Sequence, residues 1–205
     1  MTTPKAKRAG LALIAALCAG FTLGPTAPAW AGWDEGVAAF NRGDYATALR
    51  EWRPLAEQGN ADAQYFLGLM YGEGQGVLQD YAMALQWWRK AAEQGHATAQ
   101  YFLGLVYDEG QGVPQDDAKA RQWWRKAAEQ GNPKAQYNLG VMYSNGQGVT
   151  QDYVQAHMWH NLAASRFPPG EARDNAVKDR DLLAKMMTPA QISEAQKLAR
   201  EWRPK

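Results

Sequence analysis

The sequence predicts an all-α protein in which antiparallel helix pairs stack into a solenoid. Three observations carry this. The chain repeats itself with a period of 36 residues from Ala61 onward. Each period holds two stretches of helical apolar spacing separated by a glycine-rich loop. No segment shows the two-residue alternation of a strand.

The first element of the 205-residue chain is not part of that pattern. Lys5, Lys7 and Arg8 precede an apolar run from about Leu11 to Leu23. Pro25 and Pro28 then break any helix, and Ala29-Trp30-Ala31 supplies the small-x-small pattern that precedes a cleavage point after Ala31. Residues 1–31 therefore read as a cleaved signal peptide, with Gly32 as the first mature residue. The run falls short of the roughly 20 apolar residues that cross a bilayer, and no later segment reads as a span. The expected location is the bacterial periplasm or the exterior. Cleavage removes the single Cys, Cys18, so the mature chain has neither a disulfide nor thiol chemistry. The chain carries 22 Lys+Arg against 21 Asp+Glu, net +1, and cleavage leaves it mildly acidic. That balance argues against a nucleic-acid partner, whose binders carry a basic excess.

Residues 32–60 read as an N-terminal hairpin. Tyr45, Ala48, Trp52, Ala56 and Gln58-Gly59-Asn60 match Tyr81, Ala84, Trp88 and their successors at the same offset, with a shorter loop, Asn41-Arg42-Gly43-Asp44, before them.

The repeats follow as 61–96, 97–132 and 133–168. The first two agree at 28 of 36 positions and all three at 16, which duplication of one structural unit explains and chance does not. In each, the first helix starts after Asn60, His96 or Asn132. Asn is a favoured N-cap, and Pro133 sits where a missing N–H costs nothing. Ala63, Phe66, Leu67, Met70 and Tyr71 give its apolar spacing. Gly74-Gln75-Gly76-Val77 ends it. Asp80, Asp116 and Asp152 cap the second helix, whose stripe is Ala84, Trp87, Trp88, Ala91 and Ala92. Gly95 and Gly131 stop it at the C′ position. Trp87 and Trp123 are expected to lie buried between paired helices. Gly68, Gly104 and Gly140 fall mid-helix, where Gly costs about 1 kcal/mol relative to Ala; close approach of the partner helix beneath a Trp is the expected compensation.

Residues 169–205 read as a C-terminal cap. Arg166-Phe-Pro-Pro-Gly170 breaks the repeat, a helix runs from about Glu171 to Met187, and Thr188-Pro189-Ala190-Gln191 is a capping box that opens a last helix ending near Trp202.

These residues resemble the Sel-1-like repeats, relatives of the tetratricopeptide (TPR) repeats. The match lies in Ala-x-Ala-Gln-Tyr-x-Leu-Gly-x-x-Tyr (61–71), Gly-x-Gly-Val-x-Gln-Asp (74–80) and Ala-x-x-Trp-x-x-x-Ala-Ala (84–92), each recurring in the following repeats. The resemblance implies an α/α solenoid wound as a right-handed superhelix, with a TPR-like N-terminal hairpin and capping helices like the tails of bacterial members.

The repeat accounts for the residues that could suggest catalytic or metal chemistry. Gly72-x-Gly74-x-Gly76 follows a helix and not a strand, and its last two glycines recur in every repeat, so it reads as a bend needing positive φ and not as a phosphate loop. His157 and His160 share a helix face but stand where Leu85 and Trp88 stand in the first repeat, with no third ligand at a recognisable spacing. Ser144, Ser165 and Ser193 lie in no nucleophile motif. The sequence thus predicts a non-enzymatic protein with no cofactor and no metal. Some secreted relatives have been connected with binding or hydrolysing β-lactams. The alternative is therefore a cell-wall-related binding protein or hydrolase acting on peptidoglycan fragments or β-lactams; those relatives are rich in disulfide-forming cysteines, which the mature chain lacks.

What is left is shape. Positions 62, 65, 69 and 73 lie opposite Ala63 and Leu67 on the first helix, and the resemblance to TPR repeats implies that they line a concave groove. The groove residues are then Asp62, Tyr65 and Leu69, followed by Thr98, Tyr101 and Leu105, and by Lys134, Tyr137, Asn138 and Val141. Tyr with aliphatic neighbours is the composition of a protein-binding patch, so a protein or peptide partner is expected.

Overall fold

The computed structural model describes residues 32–205; the proposed signal peptide and its cleavage point lie outside the described residues. Ten helices and no strand occur among the described residues. They are α1 (Trp33–Asn41), α2 (Tyr45–Glu57), α3 (Ala61–Glu73), α4 (Tyr81–Glu93), α5 (Ala97–Glu109), α6 (Asp117–Glu129), α7 (Pro133–Asn145), α8 (Tyr153–Arg166), α9 (Glu171–Ala184) and α10 (Pro189–Glu201). From α1 to α9 each helix packs on the next, and α10 folds back on α8. Neighbour-on-neighbour packing of this kind makes a solenoid.

Local chemistry sets the helix ends. Asn60, His96 and Asn132 each accept from the third residue on: the Ala63, Ala99 and Ala135 amides at 2.8, 3.1 and 3.0 Å. Asp80 and Asp116 do the same for Met83 and Lys119. The first helices close on Gly74, Gly110 and Gly146 in the left-handed conformation. The second loop glycine is required twice over. Gly112 has φ 70°, and a Cβ there would stand 2.9 Å from the Tyr81 Cβ of the preceding repeat. The glycine-rich loop is therefore a packing device between repeats.

The helix pairs are held by a large ring lying on a glycine. A Cβ on Gly68 would meet the Trp88 ring at 2.4 Å, and one on Gly104 the Trp124 ring at 2.2 Å. Trp88 and Trp124 are buried. The expectation for Trp123 needs correcting. Trp87 is buried, but Trp123, one residue before the ring that fills the helix–helix contact, is only half-buried and carries the Lys126 ammonium 4.2 Å above it. At i+1 a side chain turns about 100° around the helix, so the two Trp cannot share one contact. The same device recurs in the N-terminal hairpin, where Trp52 lies on Gly36 and stacks on Phe66 with centroids 4.6 Å apart.

A second device went unnoticed in the sequence. Gln64, Gln100 and Gln136 are buried, and their amides donate to the carbonyls of Ala56, Ala92 and Ala128 at 2.9, 3.0 and 3.1 Å. Gln94 and Gln130 donate in turn to the Gln64 and Gln100 carbonyls at 2.7 and 2.8 Å. The ladder ends where Arg166 occupies the next position, which leaves Gln136 Oε1 unpartnered. Replacing Gln100 with Leu should cost about 1–3 kcal/mol in a denaturant titration, because the hydrogen bonds to the Ala92 carbonyl and from the Gln130 amide are both lost, at about 0.5–1.5 kcal/mol each.

At the C-terminal end α9 and α10 both cover α8. The capping box is present: the Gln191 amide donates to Thr188 Oγ1 at 3.3 Å, and Gln191 Oε1 accepts from the Thr188 amide at 2.9 Å. α9 stops at Ala184, three residues short of the expected Met187, because Thr188 must be extended to cap α10. The Arg166 guanidinium stacks 4.3 Å from the Trp202 ring, and the Lys205 amide and ammonium reach Glu129, tying the chain end to α6.

Candidate functional site

Three clefts follow one another along the first-helix side. The first lies between α3 and α5 over the Trp88 ring, with Leu69 and Leu105 facing each other across it; it measures about 190 Å³. The second lies between α5 and α7 over Trp124, with Leu105, Asn138 and Val141, at about 210 Å³. The third lies between α7 and α9 over His160, with Val141 and Leu182, at about 480 Å³. α9 thus takes the place of a fourth first helix. Gly140 sits beneath His160, as Gly68 and Gly104 sit beneath the indoles. The floor of the third cleft is an imidazole where the others have an indole.

The predicted groove residues divide into two sets. Leu69, Leu105, Asn138 and Val141 line the clefts. The three tyrosines line none of the three; each is half-buried and engaged by its own chain. Tyr65 stacks on His96 with centroids 4.9 Å apart, and His96 Nε2 stands 3.1 Å from the Asp62 carboxylate. Tyr101 has the Lys134 ammonium 5.8 Å above its ring, and its carbonyl accepts from Trp124 Nε1 at 3.1 Å. Tyr137 donates to Asp179 Oδ2 at 2.7 Å, so α9 covers it. Asp62 and Lys134 are exposed at the N-terminal ends of their helices, and Thr98 is half-buried at the same position. Burial and the nearby carboxylates push the tyrosine hydroxyls up: Glu73 acts on Tyr65 and Glu109 on Tyr101. For Tyr137 burial and the Asp179 hydrogen bond raise it to about 12.

Ser144 and Ser165 donate to the carbonyls of Val141 and Leu162 at 2.8 and 2.7 Å. Glu73 accepts from Gln75 at 2.6 Å, and Glu109 accepts from Gln111 in the equivalent loop. His157 and His160 are buried with their Nδ1 atoms unpartnered. Burial lowers both, and brings His160 to about 4. Among the described residues no three His, Cys, Asp or Glu side chains gather as a metal site, and no helix is long and apolar enough to cross a membrane.

The Sel1 repeat family profile matches residues 61–96, 97–132 and 133–166. Among solved structures, a Sel1 repeat protein from Oxalobacter formigenes is similar at 30% identity and a TM-score of 0.70, covering 83% of this chain and 70% of its own. A protective antigen present in uropathogenic Escherichia coli strains, described as displaying an SLR fold, is similar at 31% identity and a TM-score of 0.52. That match covers 85% of this chain and 45% of the antigen. No curated protein matches.

Proposed function

Because the chain belongs to the Sel1 repeat family, whose members are in general protein-interaction scaffolds, we propose that it is a non-enzymatic adaptor holding a protein or peptide partner across the clefts of its first helices. The observation that carries this reading is the register of those clefts. Leu69, Leu105 and Val141 stand at one repeat position and give each of three successive recesses an aliphatic wall. Repeated small recesses suit a partner that lays successive side chains into them, which is how a few anchors carry an interface. The tyrosines pack beside the clefts against His96, Lys134 and Asp179. We further propose that the protein works after export, in the periplasm or outside the cell, on the strength of the signal-like residues 1–31.

Two measurements test this. Partners captured from an extract of the producing cell on the wild-type protein should be lost on a Leu69→Ala, Leu105→Ala protein that melts like the parent. The purified protein should leave a chromogenic β-lactam and muropeptides unchanged. Turnover of either would overturn the adaptor reading in favour of a cell-wall hydrolase.

A further inference from the structure

The first and second helices of the repeats differ in their bases, although α9, which walls the third cleft, carries Arg173, Lys178 and Arg180 outside the cleft lining. The exposed bases Arg89, Lys90, Arg125 and Lys126 stand on the second helices α4 and α6. The clefts face carboxylates instead: Glu73 and Glu109 line the first, Asp108 the second and Asp179 the third, and no Lys or Arg lines any of them. None of these four carboxylates meets a cation within ion-pair distance among the described residues. The hydrogen bonds that reach three of them come from neutral donors, the amides of Gln75 and Gln111 and the hydroxyl of Tyr137, so their negative charge stays uncompensated. Burial raises Asp108, and Asp117 and Glu109 beside it add to the effect. Lys134, the one base on the first helices of the repeats, stands over Tyr101 and lines none of the clefts. Between the carboxylates the lining is mixed: Leu69, Leu105 and Val141 stand among Asn138, Gln147 and Ser144, and an aliphatic strip continues onto Leu182 and Met186, which are 47% and 57% exposed.

We propose that the groove takes an extended basic segment of a partner protein, with aliphatic side chains in the three clefts and Lys or Arg against Glu73, Glu109, Asp108 and Asp179. This rests on the adaptor reading and adds the partner's chemistry. An apolar stem with a charged head suits such a surface, because Lys and Arg bury their methylenes and present the charge at the rim. A carboxylate also accepts a guanidinium bidentately. An acidic segment would set like charges against one another at every cleft. Helices pack about 8–10 Å apart, so crossing from α3 to α9 spans roughly 30 Å, which about nine extended residues cover.

The test is a selection from a displayed random peptide library, with peptides of about 12 residues to span that length, on the purified protein. Enriched peptides are then synthesised and their affinity measured by fluorescence anisotropy. They should be net basic with interspersed aliphatic residues. Their affinity should fall about tenfold or more on Glu73→Gln, Glu109→Gln and on Leu69→Ala, Leu105→Ala. The wild-type affinity should weaken with added salt more steeply than that of the Gln protein. Enriched peptides that are neutral or acidic, yet lost on the Leu pair, would overturn the basic partner and leave the groove standing. Basic peptides indifferent to both pairs, or no enrichment at all, would overturn the groove as well. Self-association abolished by the Leu pair would make a second copy of the chain the occupant and overturn the proposal.

Discussion

Replacing Trp124 with Ala lowers the stability of the protein by about 3–5 kcal/mol, the range for a buried aromatic cut to Ala. The ring is 3% exposed, lies directly on Gly104 and donates to the Tyr101 carbonyl, so its removal opens a cavity between α5 and α6 and removes a hydrogen bond between them. Trp123→Ala costs markedly less, since that ring is already half in water. The glycine beneath supplies a sharper check. Ala at a helix interior is favoured over Gly by about 1 kcal/mol. Here a Cβ would stand 2.2 Å from Trp124 Nε1, so Gly104→Ala should instead destabilise by about 1–3 kcal/mol. In the Trp124→Ala background the obstruction is gone, and the sign should reverse to stabilising. A double-mutant cycle by denaturant titration reads this coupling. Equal losses for the two Trp, or a Gly104→Ala effect independent of Trp124, would mean the helix register is wrong.

Acid should destabilise the protein partly through His160. Its pKa is lowered to about 4 from an ordinary 6.5. Burial is the main cause; the Asp179 charge opposes it and His157 adds to it. The folded state holds the ring neutral, while the unfolded chain binds a proton once the pH drops below 6.5. The contribution is therefore complete above pH 6.5 and is lost as pH falls toward 4. The gap between those values corresponds to about 3 kcal/mol. His157 is lowered for the same main reason and acts in the same direction. His160→Trp puts an indole on Gly140, as in the first two repeats, and removes the titration. The difference in melting temperature between pH 7.5 and pH 4.5 should be clearly smaller for that variant than for the wild type. Parallel losses in the two proteins would clear His160 of the effect.

The fold was legible because it is written three times. Capping by Asn60, Asp80, Asp116 and Thr188, the stop at Gly74 and the glycine-under-Trp contact each follow from local chemistry, and the repeat makes each recur. The choice of Trp was not legible. Trp87 and Trp88 are adjacent and both apolar, and periodicity places a stripe to within about one residue; only the close approach at Gly68 shows that Trp88 fills the contact. The glutamine ladder was missed because a buried amide looks like any surface Gln until its partners, 8 and 30 residues away, are placed. Gly36 escaped because the shorter loop of the N-terminal hairpin shifts it out of the 36-residue register. The groove was half legible. Spacing put Tyr65 and Leu69 on one side of α3. It could not show that His96, the N-cap of α5, covers the tyrosine, or that α9, outside the repeat, covers Tyr137 and closes a third cleft.

Binding and melting measured together on two double variants test the partner groove most directly. The ligand is a peptide recovered from the selection above or a partner captured from extract. Leu69→Ala, Leu105→Ala should abolish most of the binding while shifting the melting temperature little, because both side chains are only partly buried and line open clefts. Tyr65→Ala, Tyr101→Ala should do the opposite: a melting temperature lower by many degrees, with the folded fraction still binding. Binding untouched by the leucine pair, and lost from a fully folded tyrosine pair, would mean that the leucine clefts are not the partner groove.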